Sequence, residues 1–147
     1  PGPEHYQRAE AALEQMEICH LAQKPYTRIS TGELQQVSIA RAIAQQARLI
    51  LMDEPTAHLD YGNQLKVLRL IKNLSAKGYA VVLTTHNPDQ VLLLDSKTAV
   101  IDHHSIFHFG PWEEILTEEL LSDMYGVPLR LIKVEGINRM VSVAPGL

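Results

Sequence analysis

Apolar residues recur along the first third of the chain at the spacing of helices. The pattern over residues 5–23 predicts an amphipathic helix that Pro25 ends. A second helix is predicted to begin after Ser30 and to run to about Gln46, because Ser30 followed by Glu33 is the pattern of a capping box. The start of the chain is therefore expected to be helical.

Two short apolar runs in the middle of the chain predict buried strands of a parallel sheet. Residues 49–52 lead into Asp-Glu-Pro, and residues 80–85 lead into His-Asn-Pro. Between them, residues 64–77 carry leucine and isoleucine at helical spacing, and Gly78 supplies a stop. This strand-helix-strand order predicts an α/β fold with a right-handed crossover.

The remainder of the chain shows shorter patterns. We predict a short helix over residues 91–94 and two short helices over 112–116 and 118–124. Two hairpins are predicted, with strands 97–102 and 105–109, then 129–134 and 139–143. No repeat or long linker interrupts the chain, so a single domain is expected over residues 1–147.

Composition narrows the class of protein. The 147 residues include 46% hydrophobic residues and carry a net charge of −4, which favours one globular core and disfavours a nucleic-acid partner. Cys19 is the single cysteine, so an internal disulfide and a multi-cysteine zinc site are excluded. No signal peptide is recognised, and no apolar run approaches the ~20 residues of a membrane span. A cytoplasmic setting is expected, with membrane association through a partner.

The most informative stretch is residues 29–60, ISTGELQQVSIARAIAQQARLILMDEPTAHLD. It resembles the ABC-type ATPases, because residues 29–33 lie where their signature motif lies and 49–54 match Walker B with the following glutamate. Residues 57–60 match the D-loop, and His86 matches the switch histidine. The resemblance implies an incomplete P-loop NTPase domain of ABC type, with a parallel sheet core flanked by helices.

Within that domain the resemblance implies two regions. Residues 1–46 are expected to be the remainder of the helical signature subdomain. Residues 47–147 are expected to be the C-terminal part of the catalytic core, followed by an accessory tail.

Three residues at the strand ends are site candidates, one for metal binding and two for catalysis. Asp53 ends a strand where open α/β sheets bind ligands, and its carboxylate suits Mg²⁺. Glu54 is the candidate general base, and we expect the following proline to hold it extended. The resemblance implies that His86 bridges Glu54, the attacking water and the γ-phosphate of ATP. An isolated acidic pair would otherwise be a solvated strand end, and a lone histidine a cap.

The start of the second helix is a candidate phosphate site. Its unpaired N–H groups and positive dipole could receive a phosphate, with the glycine allowing close approach. The resemblance implies that this signature contacts the γ-phosphate of ATP held mainly by a second subunit, whereas the structural alternative is a capping box alone. The candidate residues are Ser30, Thr31, Gly32 and Glu33.

Asp60, in the D-loop, has two open interpretations. The resemblance implies that it organises the dimer interface around the opposing nucleotide. Its carboxylate could also cap a helix that begins near Asn63.

The chain departs from the family pattern in three ways. No lysine follows a glycine, so Walker A is missing, and we expect weak ATP binding and exposed apolar surface beside the strands. Thr31 replaces a signature glycine, and Glu33 stands where glutamine is commonest. We interpret the chain as a truncated ATPase rather than a decayed one, because Glu54 and His86 are kept.

A histidine cluster in the first predicted hairpin is not assigned to a metal, because no carboxylate or cysteine completes an evident tetrahedral set. It comprises His103, His104 and His108.

The function implied by the resemblance is that of the ATP-hydrolysing subunit of an ABC transporter. Its cofactors would be ATP and Mg²⁺, and its partners a second ATPase subunit, membrane-spanning permease subunits and, indirectly, an extracytoplasmic binding protein. Residues 60–64 and 84–89 resemble importers of iron-siderophore, cobalamin or other metal complexes. The resemblance also implies that the subunit lies on the cytoplasmic, inner face of the cell membrane. The alternatives are a soluble non-transport ABC ATPase and a non-catalytic regulatory half-domain.

Overall fold

The structure is a computed structural model that describes residues 2–102, 106–136 and 139–146. The chain divides into two compact units, one ending at Thr85 and the other beginning at His86. Each unit is described by itself. In the described part of the chain, no helix has the length and hydrophobicity that a membrane span requires.

The first unit begins with two helices, α1 (Pro3–Gln15) and α2 (Thr31–Ala44). The prediction of one helix over residues 5–23 is wrong in its second half. The chain leaves α1 through Glu17, whose φ of 59° is left-handed, and Ile18 N–H then bonds back to the carbonyl of Leu13. This ending has the geometry that glycine usually supplies, and it buries Ile18.

A strand-helix-strand unit follows, as predicted. It consists of β1 (Leu49–Met52), α3 (Tyr61–Ala76) and β2 (Ala80–Leu83). The two strands are parallel, with Leu49 opposite Ala80 and Met52 opposite Leu83. Their carboxyl ends therefore lie at the same edge.

Part of the core of the first unit lies on one face of these two strands. Ile50 and Met52 are buried, whereas Leu49 and Leu51 are 52% and 71% exposed, and Val82 is 56% exposed. The expectation of buried strands is therefore met on one face of β1 only, while the expectation of exposed apolar surface is confirmed. The apolar stripe of α3 supplies Val67, Leu68, Ile71 and Leu74. The helical region before β1 supplies the remaining buried apolar residues, namely Ala12, Met16, Ile18, Leu21, Ile39, Ala40 and Ile43.

The second unit combines short helices with two antiparallel hairpins. Its elements are α4 (Pro88–Leu94), β3 (Lys97–Ile101), β4 (Phe107–Pro111), α5 (Trp112–Ile115), α6 (Glu118–Tyr125), β5 (Arg130–Val134) and β6 (Arg139–Val143). The strands pair as β3 with β4 and β5 with β6, as the sequence predicts. A small core forms around Leu92, Val100, Leu116 and Leu121.

The hairpin of β3 and β4 also has an exposed apolar face. Ile101, Phe107 and Phe109 are 70%, 63% and 61% exposed, and the two phenyl rings are stacked with centroids 6.4 Å apart. Exposed apolar patches of this kind mark surfaces that are covered in an assembly or that aggregate.

We expect the isolated chain to self-associate through the exposed face of β1 and β2. Leu51→Lys should weaken association about tenfold or more, because burying one leucine contributes about 1.5–3 kcal/mol. Sedimentation velocity over a concentration series measures this. The control is Asn73→Lys, which adds the same charge at an exposed position of α3. A monodisperse monomer at all concentrations would contradict the prediction.

Candidate functional site

The carboxyl ends of β1 and β2 bring together two acids and a threonine. The Thr84 hydroxyl donates to Asp53 Oδ1 at 2.6 Å and accepts from the Glu54 N–H at 3.0 Å. The Thr84 N–H in turn donates to the carbonyl of Met52 at 3.0 Å, which continues the parallel ladder. Thr84 therefore ties both acidic residues to the neighbouring strand.

Thr84 was not among the candidate residues from the sequence. The available signal was its position, since a hydroxyl residue directly follows the second strand of a parallel pair. In such a pair, the residues after each strand meet at one edge, where ligands bind.

The backbone of Glu54 differs from its prediction. Its φ is 41°, in the left-handed region, and not in the extended conformation expected before Pro55. Such a conformation costs a non-glycine residue on the order of 1–3 kcal/mol. The bond from Glu54 N–H to Thr84, and a turn in which Ala57 N–H donates to the Glu54 carbonyl at 3.0 Å, offset this cost.

An exposed carboxylate at this edge fits Mg²⁺. The ion keeps several waters and typically takes one or two protein carboxylates plus substrate phosphates, so Asp53 by itself is a sufficient protein ligand. The Thr84 hydroxyl orients the Asp53 carboxylate through one of its oxygens. The magnesium role of Asp53 stays a prediction.

The start of α2 forms the predicted capping box. Ser30 Oγ accepts from the Glu33 N–H at 3.3 Å, and Glu33 Oε2 accepts from the Ser30 N–H at 2.8 Å. Lys24 Nζ donates to both carboxylate oxygens of Glu33, at 2.9 and 3.0 Å. The capping interpretation is confirmed, whereas phosphate contact by Ser30, Thr31, Gly32 and Glu33 stays a prediction.

These bonds change the electrostatics of the helix start. The Ser30 N–H, followed by Lys24, lowers the pKa of Glu33 from 4.5 to about 2. The acidic residue that stands where glutamine is commonest is thus ionised, but its charge is paired with Lys24. The sequence analysis did not single out Lys24, since a pairing across nine positions and a turn leaves no periodic pattern.

The start of α3 adjoins the start of α2. Asp60 caps α3, because its Oδ1 accepts from the Asn63 N–H at 2.9 Å and its Oδ2 from Asn63 Nδ2 at 2.5 Å. This N–H holds the pKa of Asp60 below its ordinary value. A Cβ added to Gly32 would lie 3.4 Å from Asn63 Cγ, so the Asn63 amide packs against the glycine. Asn63 thereby links the predicted signature and D-loop segments.

His86 begins the second unit, and its segment is held by residues far along the chain. Tyr125 Oη donates to the His86 carbonyl at 2.5 Å. Asp89 Oδ1 accepts from the Ser142 N–H at 2.7 Å and from Ser142 Oγ at 2.9 Å. Burial raises the pKa of Tyr125, and the charge of Asp89 raises it further, so the phenol remains a donor at neutral pH. The bridge between His86 and Glu54 stays a prediction.

The histidine cluster is only partly described. His103 and His104 lie outside the described residues. His108 Nε2 is 3.5 Å from Asp102 Oδ2, a carboxylate that the sequence analysis did not place beside it. Among the described residues, no group of three potential ligands could hold a metal ion.

Comparison with known proteins identifies the family. The model of the ABC transporter family matches residues 4–57. An uncharacterised ABC transporter ATP-binding protein of Haemophilus influenzae is 47% identical over 114 residues, which cover 78% of this chain and 43% of that protein. A molybdate import ATP-binding protein of the same organism is 41% identical over 130 residues, which cover 88% of this chain and 51% of that protein.

A solved structure agrees with the sequence relatives. A metal-chelate type ABC transporter in an inward-facing conformation aligns with a TM-score of 0.91 and 36% identity, over 98% of this chain and 59% of that one. The chain belongs to the ATP-binding domains of the ABC transporter family. The predicted fold class, an ABC-type P-loop NTPase domain in part, is confirmed. The chain spans about half the length of the curated relatives it matches.

The hydrogen bonds to the Glu33 carboxylate determine the pH at which it is protonated. Glu33 should remain ionised down to pH 3.5, because its folded pKa is about 2. Since the folded pKa is depressed, the stabilisation from this carboxylate is fully present above pH 4.5 and is lost as the pH falls through about 2. Carboxyl-carbon NMR measures this titration.

Two variants separate the contributions of Lys24 and the Ser30 N–H to the lowered pKa of Glu33. Lys24→Met should raise the Glu33 midpoint but leave it below 4.5, because the bond from the Ser30 N–H remains. Lys24→Arg, which keeps the charge, serves as the control. A Glu33 midpoint near 4.5 in the unmodified chain would show that the capping box does not persist in solution.

Proposed function

We propose that this chain forms part of the ATP-hydrolysing subunit of an ABC transporter, with Glu54 as the general base. The observation that carries the proposal is the hydrogen-bonded arrangement of Asp53, Glu54 and Thr84 at the carboxyl edge of a parallel strand pair. Glu54 accepts the proton of the water that attacks the γ-phosphate, and His86 contacts that phosphate. Asp53 holds the Mg²⁺, which neutralises phosphate charge when bound.

The start of α2 faces a nucleotide held mainly by a second copy of the subunit. The support for this role is a capped helix N-terminus whose single acidic side chain is already paired with Lys24, so that its charge repels phosphate less. Asp60 lies at the same interface, and Asn63 joins it to Gly32. The expected assembly is a head-to-tail dimer.

The dimer drives membrane-spanning permease subunits at the inner face of the membrane, and a binding protein outside delivers the cargo. Import of a metal complex is supported by the similar proteins, which are named for molybdate import and for metal-chelate transport. Iron-siderophore and cobalamin complexes belong to the same cargo class. The residues at the carboxyl edge of β1 and β2 contact nucleotide and not cargo. The permease and the binding protein therefore select which metal complex is transported.

We expect Glu54→Gln in the full-length protein to bind ATP normally but to hydrolyse it about 100-fold more slowly or worse, because the amide cannot accept the proton. Steady-state phosphate release and equilibrium ATP binding measure the two properties. Glu10→Gln makes the same chemical change at an exposed position of α1 and should leave both unchanged. Unaffected turnover in Glu54→Gln would remove Glu54 from the role of base.

The 147-residue chain on its own should bind ATP weakly, with a Kd on the order of 1 mM or higher. It contains no Gly-Lys-Ser/Thr sequence, and so lacks the backbone nest and lysine that hold the β- and γ-phosphates. Calorimetric titration with Mg-ATP, with Mg-AMP as the control ligand, measures the affinity. Micromolar affinity would contradict this prediction.

A further inference from the structure

We propose that Tyr125 is a positioning residue for ATP hydrolysis, acting through its hydrogen bond to the backbone carbonyl of His86. This inference rests on the proposed function, in which His86 contacts the γ-phosphate. Tyr125 lies 39 positions after His86, in a part of the chain to which neither the sequence motifs nor the family match assigns a role.

The segment from His86 to Asp89 is anchored at two points by later elements. At its start, the His86 carbonyl accepts from Tyr125 of α6. At its end, the Asp89 carboxylate accepts both a backbone and a side-chain bond from Ser142 of β6. Between these points, Asn87 caps α4 by accepting from the Asp89 N–H at 2.9 Å. The path of this segment is therefore set by contacts that come from the C-terminal third of the chain.

Tyr125 stands on a firmly held element. Helix α6 is capped by Thr117 Oγ1, which accepts from the Leu120 N–H at 3.1 Å, and it buries Leu121 in the core of the second unit. Gly126, with a φ of 67°, ends the helix directly after Tyr125. Ser122 Oγ also accepts from the Leu129 N–H at 2.9 Å and fixes the turn that follows. The backbone that carries the phenol is thus held on both sides of Tyr125.

The His86 side chain is exposed, and the position of its Cα is set by the path of the backbone. The bond to Tyr125 restrains the peptide between His86 and Asn87, and the His86 Cα, which carries the imidazole, is one end of that peptide. A displacement of about 1 Å at a reacting group can cost up to ~100-fold in rate. Loss of the hydroxyl should therefore slow the chemical step and leave nucleotide binding nearly unchanged.

The test is a double-mutant cycle in the full-length protein, with Tyr125→Phe, His86→Ala and the two combined. Tyr125→Phe should lower kcat about tenfold with the KM for ATP within about twofold. In the His86→Ala background the same change should alter kcat by less than about twofold, because the residue it positions is gone. Tyr6→Phe removes an exposed phenol hydroxyl from α1 and should leave kcat unchanged.

Each other outcome has a definite meaning. Wild-type kcat in Tyr125→Phe, or the same fold-loss in both backgrounds, overturns the positioning role while leaving His86 as proposed. Full activity in His86→Ala overturns the role of His86 and, with it, that of Tyr125. Thermal unfolding of Tyr125→Phe distinguishes a structural effect, since a fall in Tm beyond ~4 °C with raised KM would contradict positioning.

Discussion

The hydrogen bond between the Thr84 hydroxyl and the Asp53 carboxylate is the interaction on which the candidate site depends. It joins the end of β1 to the end of β2, and the Thr84 hydroxyl oxygen also accepts a bond from the Glu54 N–H. The left-handed backbone of Glu54 is held by that N–H bond and by the turn in which the Ala57 N–H donates to the Glu54 carbonyl. Parallel pairing makes the bond between Thr84 and Asp53 possible, because it places the residues after both strands at one edge.

The negative charge of Glu33 at the start of α2 is balanced by a separate set of contacts. A carboxylate near an expected phosphate site would ordinarily repel the ligand, but Glu33 is engaged by the Ser30 N–H and by Lys24. Its low pKa reflects those two bonds and not burial. The departure from the glutamine of the family pattern is therefore accompanied by a compensating cation nine positions earlier.

Local signals predicted much of the fold because they act within one or two turns of chain. The caps at Ser30 and Asp60, the short apolar runs of β1 and β2 and the two hairpins all follow from neighbouring residues. The end of α1 was mispredicted because Glu17 adopts a conformation that its residue type disfavours. Burial of Ile18 offsets this, and that contact is tertiary.

The sequence by itself determined the family resemblance, the order of elements and the acids at the strand end, since these depend on residue type and spacing. Only the tertiary structure decided which hydroxyl orients Asp53, that Lys24 pairs with Glu33, and that Tyr125 and Ser142 anchor the segment after β2. These contacts join residues 9 to 53 positions apart. Such pairings leave no periodic trace, because they arise only when separate elements pack together.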